Sequence, residues 1–85
     1  RVELAQVRAR LDAARTTLES ARMSAAALTR RADELARSWQ VGAPPLLEAL
    51  RARLGAYNAI LALNSAEIGW HAAILRAAIA TGATP

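Results

Sequence analysis

The fold is decided by the stretch Trp39-Gln40-Val41-Gly42-Ala43-Pro44-Pro45-Leu46-Leu47-Glu48. Gly42 suits the C-terminal cap of a helix, because glycine adopts the left-handed conformation there at little cost. Pro44 and Pro45 cannot continue that helix, and Pro45 suits the first turn of a second one. We therefore predict one domain over residues 1–85, with a helix over about 2–39, a turn over 41–45 and a helix over about 45–80.

On both sides of this turn, mostly apolar residues recur at alternating spacings of three and four. Such heptad spacing keeps one seam of a helix facing a partner helix along its whole length. The ladder of the first segment is Leu4, Val7, Leu11, Ala14, Leu18, Ala21, Ala25, Leu28, Ala32, Leu35 and Trp39. The ladder of the second segment is Leu47, Leu50, Leu54, Tyr57, Leu61, Asn64, Ile68, His71, Leu75 and Ala78. The sequence therefore predicts an all-α fold, a long antiparallel two-helix coiled-coil hairpin.

Folding about the turn sets the register of this hairpin. Residues whose numbers sum to the low or mid eighties are expected to lie opposite each other. On that basis Ala25 is predicted near Tyr57 or Leu61. Leu18 is predicted near Asn64 or Ile68. The register of the two helices stays open by half a turn, so neither member of each pair is preferred.

The chain holds more apolar residues than one seam between two helices uses. They make up 54% of the 85 residues, and two helices share only one mutual face. The second segment adds apolar residues outside its ladder: Leu46, Ile60, Leu63, Trp70, Ile74 and Ile79. A helix that is apolar on several sides needs several neighbours, and Gly55 and Gly69 are expected to allow close approach of one. The apolar excess predicts either self-association or a piece of a larger assembly, and because the sequence opens mid-pattern at Arg1-Val2-Glu3, we expect the piece.

The charged residues favour a solvated helix face over a nucleic-acid site. The net charge is +4, with eleven basic residues that are all arginine, and a basic balance can indicate a phosphate-rich partner. Here, however, arginines alternate with acids at a spacing of four, which suits ion pairs along one helix. The predicted pairs are Arg8/Asp12, Arg15/Glu19, Arg30/Glu34 and Asp33/Arg37. We therefore predict a salt-bridged outer face and no nucleic-acid partner.

No residue set predicts an enzyme, a cofactor or a metal site. His71 is the only histidine, and Glu67 one turn before it is more typical of a polar pair in a helix seam than of a metal site. The absence of cysteine excludes thiolate ligands, and the scattered glycines form no phosphate-binding loop. The longest uncharged run of the second segment, 54–66, has thirteen residues, whereas a membrane-spanning helix needs about twenty. No membrane-spanning helix is predicted.

The stretch 39–52 resembles the hairpin-tip signature of TolC-type outer-membrane efflux proteins. That signature has an aromatic residue, two further residues, a glycine, a short variable stretch, two apolar residues, a carboxylate and then a helix. Its elements fall here on Trp39, Gly42, Leu46, Leu47 and Glu48. The following helix, closed by Thr81-Gly82, is similar to the return helix of the family, and the resemblance covers about residues 15–82.

The resemblance implies a homotrimeric efflux channel in the outer membrane of a Gram-negative bacterium, with this hairpin in the periplasm. The hairpin would form part of the wall of an α-helical tunnel. Its tip would dock a periplasmic adaptor, which links the channel to an inner-membrane pump in a tripartite export system. The tip residues are Val41, Gly42, Ala43, Pro44 and Pro45. Trp39 and Glu48 would lie near the entrance constriction.

Three other interpretations stay open at this point. The first is the coiled-coil hairpin of the periplasmic adaptor itself, although Arg31, Leu35 and the residues after them do not reproduce the Arg, Leu and Ser spacing of its tip. The second is a small secreted helical hairpin with a Trp-x-Gly turn, whereas the spacing here is Trp-x-x-Gly. The third is a plain structural coiled coil, which the heptads alone support.

Overall fold

The chain folds into two long antiparallel helices, as a computed structural model shows for residues 2–40 and 46–82. Helix α1 spans Val2–Gln40 and helix α2 spans Leu46–Ala80. The hairpin is narrow, with extents of 61 × 22 × 14 Å. The predicted all-α antiparallel hairpin is therefore confirmed, while the predicted turn over 41–45 lies outside the described residues.

Local sequence explains where the helices form and where α2 ends. The interior of α1 has no Gly or Pro and is rich in Ala, Leu and Arg, which are strong helix formers. At the end of α2, the Thr81 amide donates a hydrogen bond to the carbonyl oxygen of Ala77 at 3.0 Å. The Thr81 hydroxyl also donates to this oxygen, at 2.9 Å. Gly82 then takes a φ of +74°, the left-handed conformation that favours glycine after a helix.

The face of α1 that packs on α2 is the predicted one. Leu18, Ala25 and Ala32 are buried, with Ala32 only 1% exposed. Half-buried members of the same ladder are Val7, Leu11, Ala14, Ala21 and Leu35. Leu4 and Leu28 are the exceptions, because both are exposed.

The ladder predicted as the packing face of α2 is wrong. Seven of its members, Leu47, Leu50, Leu54, Tyr57, Leu61, Ile68 and Leu75, are 56% to 71% exposed. Asn64 and His71 are exposed as well, whereas Ala78, the tenth member, is half-buried. We call these nine exposed residues the outer ladder. The buried and half-buried face is a different heptad series, the alanine seam: Ala49, Ala52, Ala56, Ala59, Leu63, Ala66, Trp70, Ala73 and Ala77.

Side-chain size explains this choice of face. Small residues at a helix–helix contact allow a short distance between the helix axes. Seven of the nine members of the seam are alanine, and the most buried of them, Ala56, is 2% exposed. Alanines of α1 are buried with them, such as Ala25 and Ala32. The bulky residues of the outer ladder would force the axes apart, so α2 turns them away from α1.

The antiparallel register agrees with the prediction, although the individual neighbours do not. Nη1 of Arg53 lies 3.3 Å from Oδ1 of Asp33 across the two helices. Ala14 and Gly69 line one shallow groove, and both pairs have numbers that sum to the low or mid eighties. Because α2 presents its alanine seam, the ladder residues predicted beside Ala25 and Leu18 do not face α1.

The four predicted ion pairs along α1 are absent from the part of the chain whose side chains the structure describes. Asp12 instead pairs with Arg15 one turn later, at 3.6 Å, and Asp33 reaches across to Arg53. These groups remain well exposed to solvent, where such pairs stabilise a fold by only about 0–1 kcal/mol. Packing of the alanine seam, and not ion pairing, therefore holds the hairpin together.

We expect Ala56→Leu to destabilise the hairpin, because three extra carbon atoms must fit between the helix axes. The free energy of unfolding should fall by about 1–3 kcal/mol, the usual cost of overpacking. The measurement is urea denaturation followed by far-UV circular dichroism. Ala26→Leu, at an exposed position of α1, is the matched control and should be close to neutral. Equal effects of the two substitutions would contradict the assignment of the seam.

Candidate functional site

The predicted tip site lies mostly outside the described residues. This holds for all five tip residues, Val41 to Pro45, and for the side chain of Trp39, whose backbone lies in the last turn of α1. Glu48 is described: it is exposed and lies in the first turn of α2. There its carboxylate is favoured by the positive end of the helix dipole. The docking and constriction roles of these residues stay predictions.

The outer ladder is the largest candidate site that the structure itself adds. At 3.6 residues per turn, its centre lies roughly 160° around α2 from the alanine seam, so the two apolar faces are nearly opposite. From Leu47 to Leu75 it runs about 42 Å at 1.5 Å per residue. None of its nine members is charged. The heptad pattern predicts these residues as the inner seam of the hairpin, whereas in the structure they lie on its outside.

Further exposed apolar side chains widen this face. Leu46, Ile60, Ile74 and Ile79 lie beside the outer ladder and are themselves exposed. Single exposed apolar residues are normal on a protein surface, whereas a contiguous apolar stripe marks an interaction site. The outer ladder together with these four residues is therefore a candidate interaction surface.

The outer face of α1 has a different character. It carries Asp12, Glu19 and Arg30, all exposed, and the pair between Asp12 and Arg15. Its large apolar exception is Met23, which is 73% exposed and stands alone. Charged side chains keep their hydration on such a face, so it suits contact with water. The hairpin thus has a charged, hydrated face on α1 and an exposed apolar face on α2.

The described residues form grooves that are open to solvent. One of them, of about 670 Å³, lies between the start of α1 and the end of α2 and includes Leu4, Leu11 and Ala77 in its lining. Within the same described part, no three potential metal ligands come together. Neither helix, over its described residues, holds a stretch that is long and apolar enough to cross a membrane.

The two glycines inside α2 are not sites of close approach to α1. A Cβ atom added at Gly55 or Gly69 would meet no atom within 4 Å outside its own local backbone. The close neighbour predicted there is a helix beyond this hairpin, so that expectation stays a prediction. Both positions carry the cost of glycine in a helix without a packing gain within the hairpin.

We expect Gly69→Ala to stabilise the chain by about 0.5–1 kcal/mol, because alanine is the better helix former and the new methyl group meets open space. Gly82→Ala is the contrasting control, since its φ of +74° is unfavourable for a residue with a Cβ atom. Thermal unfolding should show a higher Tm for the first variant and a lower Tm for the second. A lower Tm for Gly69→Ala would show that a neighbour packs against this glycine.

Comparison with known proteins found no family model, no curated protein and no solved structure that matches this chain. The resemblance to TolC-type hairpin tips therefore rests on the sequence motif around Gly42. The structure defines the class to which the chain belongs: a long antiparallel helical hairpin whose second helix presents an uncovered apolar ladder.

Proposed function

We propose that the chain is a periplasmic hairpin of a TolC-type efflux channel, forming part of the wall of its α-helical tunnel. The observation that carries this proposal is the pair of nearly opposite apolar faces on α2. In a wall of parallel and antiparallel helices, α2 would have a neighbour on either side, and each of its two apolar faces would be covered. A hairpin that stood alone would gain nothing from the outer ladder.

The dimensions of the hairpin also support a role in a wall. With 39 residues in α1 and 35 in α2, the helices are about 50–60 Å long at 1.5 Å per residue. Helices of globular domains average about 11–12 residues. The hairpin is one helix thick in its shortest dimension, 14 Å, which suits a thin wall that separates two aqueous spaces.

The tip would then be the docking site for a periplasmic adaptor protein, which connects the channel to an inner-membrane pump. Val41–Pro45 would face the adaptor, and Trp39 and Glu48 would lie near the entrance. The exposed position of Glu48 at the start of α2 supports its accessibility at this end. On this proposal the parent protein is a homotrimer, located in the outer membrane of a Gram-negative bacterium with this hairpin in the periplasm.

A cross-linking experiment in the bacterium that encodes the chain tests this function. A photoreactive amino acid in place of Ala43 should form a covalent product with a periplasmic adaptor, identified by mass spectrometry. The control places the same amino acid at Ser20, an exposed position in the middle of α1, where no adaptor is expected. No adaptor product from position 43, or equal products from both positions, would contradict the docking role.

A further inference from the structure

Two arginines from different helices line one small recess at the end of the hairpin where α1 begins and α2 ends. Arg10 of α1 and Arg76 of α2 share this recess, of about 40 Å³, with Val7, Ala73 and Ala77. Both arginines are exposed, whereas Ala73 is buried and Val7 and Ala77 are half-buried. The recess therefore has an apolar floor, and among the described residues the two guanidinium groups supply its charge.

The register of the hairpin places these two arginines opposite each other. Thr17 and Gly69 line one groove between the two helices. Arg10 precedes Thr17 by one heptad, and Arg76 follows Gly69 by one heptad, so all four residues lie on the same side of the hairpin. Because the helices are antiparallel, a step of one heptad backward on α1 and forward on α2 leads from one facing pair to the next. Arg10 and Arg76 are thus a facing pair.

This facing pair joins two like charges, in contrast to the charged contact at Asp33. There Oδ1 of Asp33 lies 3.3 Å from Nη1 of Arg53, so opposite charges meet across the helices. No acidic residue of the described part of the chain lines the recess between Arg10 and Arg76. Two nearby cations repel each other, and the packing of the alanine seam fixes the register that keeps them together.

An oxyanion between the two arginines would turn this repulsion into attraction. A guanidinium group presents a planar fork of N–H donors that binds phosphate or carboxylate through two hydrogen bonds. One fork occupies both oxygens of a carboxylate, whereas a phosphate group keeps further oxygens for the second fork. The volume of the recess is close to the roughly 30 Å³ that one water molecule takes up. It therefore accepts one edge of a phosphate group and leaves the rest in solvent.

We propose that Arg10 and Arg76 form a binding site for a phosphate group. The bound group accepts hydrogen bonds from both helices and so joins the start of α1 to the end of α2. This site is distinct from the outer ladder and from the tip, and it does not depend on the efflux proposal. Inorganic phosphate and the headgroup of a phospholipid present the same oxygens, so either can supply the group.

A titration of the isotope-labelled chain with inorganic phosphate tests the site. Ionic strength is held constant with chloride, and the Nε–Hε signals of the arginines are followed by nuclear magnetic resonance. The signals of Arg10 and Arg76 should shift together along one saturable curve. Arg22, an exposed arginine of α1 outside the recess, is the internal control and should shift little.

Two matched substitutions separate a shared site from general attraction of anions to a basic chain. Arg10→Gln removes one fork and should weaken phosphate binding, read at the Arg76 signal, by about tenfold or more. Arg76→Gln should do the same at the Arg10 signal. Arg22→Gln removes the same charge elsewhere on α1 and should leave the affinity unchanged. Far-UV circular dichroism checks that each variant keeps its helices.

Vesicles of phosphatidylglycerol distinguish the two sources of the phosphate group. A headgroup ligand predicts that cosedimentation with the vesicles is lost in Arg10→Gln and kept in Arg22→Gln. Equal cosedimentation of these variants would assign the site to free phosphate. Three results of the titration would overturn the proposal: a shift that does not saturate, equal shifts at Arg10 and Arg22, or an Arg76 shift that Arg10→Gln leaves unchanged.

Discussion

The contact between the alanines of α1 and the alanine seam of α2 is the constraint on which the rest of the structure depends. Ala32 and Ala56 are nearly inaccessible to solvent, and small residues on both sides let the helix axes come close. Dispersion contacts along such a seam are individually weak and add up over its length. Only two ion pairs accompany the seam among the described side chains, and both are partly hydrated.

This packing has a direct consequence for function. Residues on opposite faces of a helix cannot both face the same neighbour. Because the alanine seam of α2 faces α1, the leucine, isoleucine and tyrosine side chains of the outer ladder face away from it. The outer ladder is therefore exposed because of the way the hairpin packs, and its exposure is what makes α2 suited to a second neighbour. The proposed tunnel wall uses this face for a neighbouring helix.

The sequence predicted α1 better than α2 for a physical reason. On α1, charged residues such as Asp12 and Arg30 mark the outer face, so one heptad face is left for the interior. On α2, two heptad faces are almost free of charge, and hydrophobicity alone favours the one with larger residues. Packing the larger residues inside would push the helix axes apart, so the structure uses the face with the smaller residues. This separation depends on both helices together, so the pattern of one helix does not reveal it. The tip motif around Gly42 is readable in the sequence alone.

The central claim is that α2 packs on α1 through the alanine seam and turns the outer ladder away from it. Methyl nuclear Overhauser effects from Leu18, a buried residue of α1, test it most directly. Isotope filtering separates contacts within one chain from those between chains. The account predicts intramolecular effects to the part of the alanine seam opposite Leu18, such as the methyl group of Ala66. Effects to the methyl groups of Leu61 or Ile68 instead would contradict it.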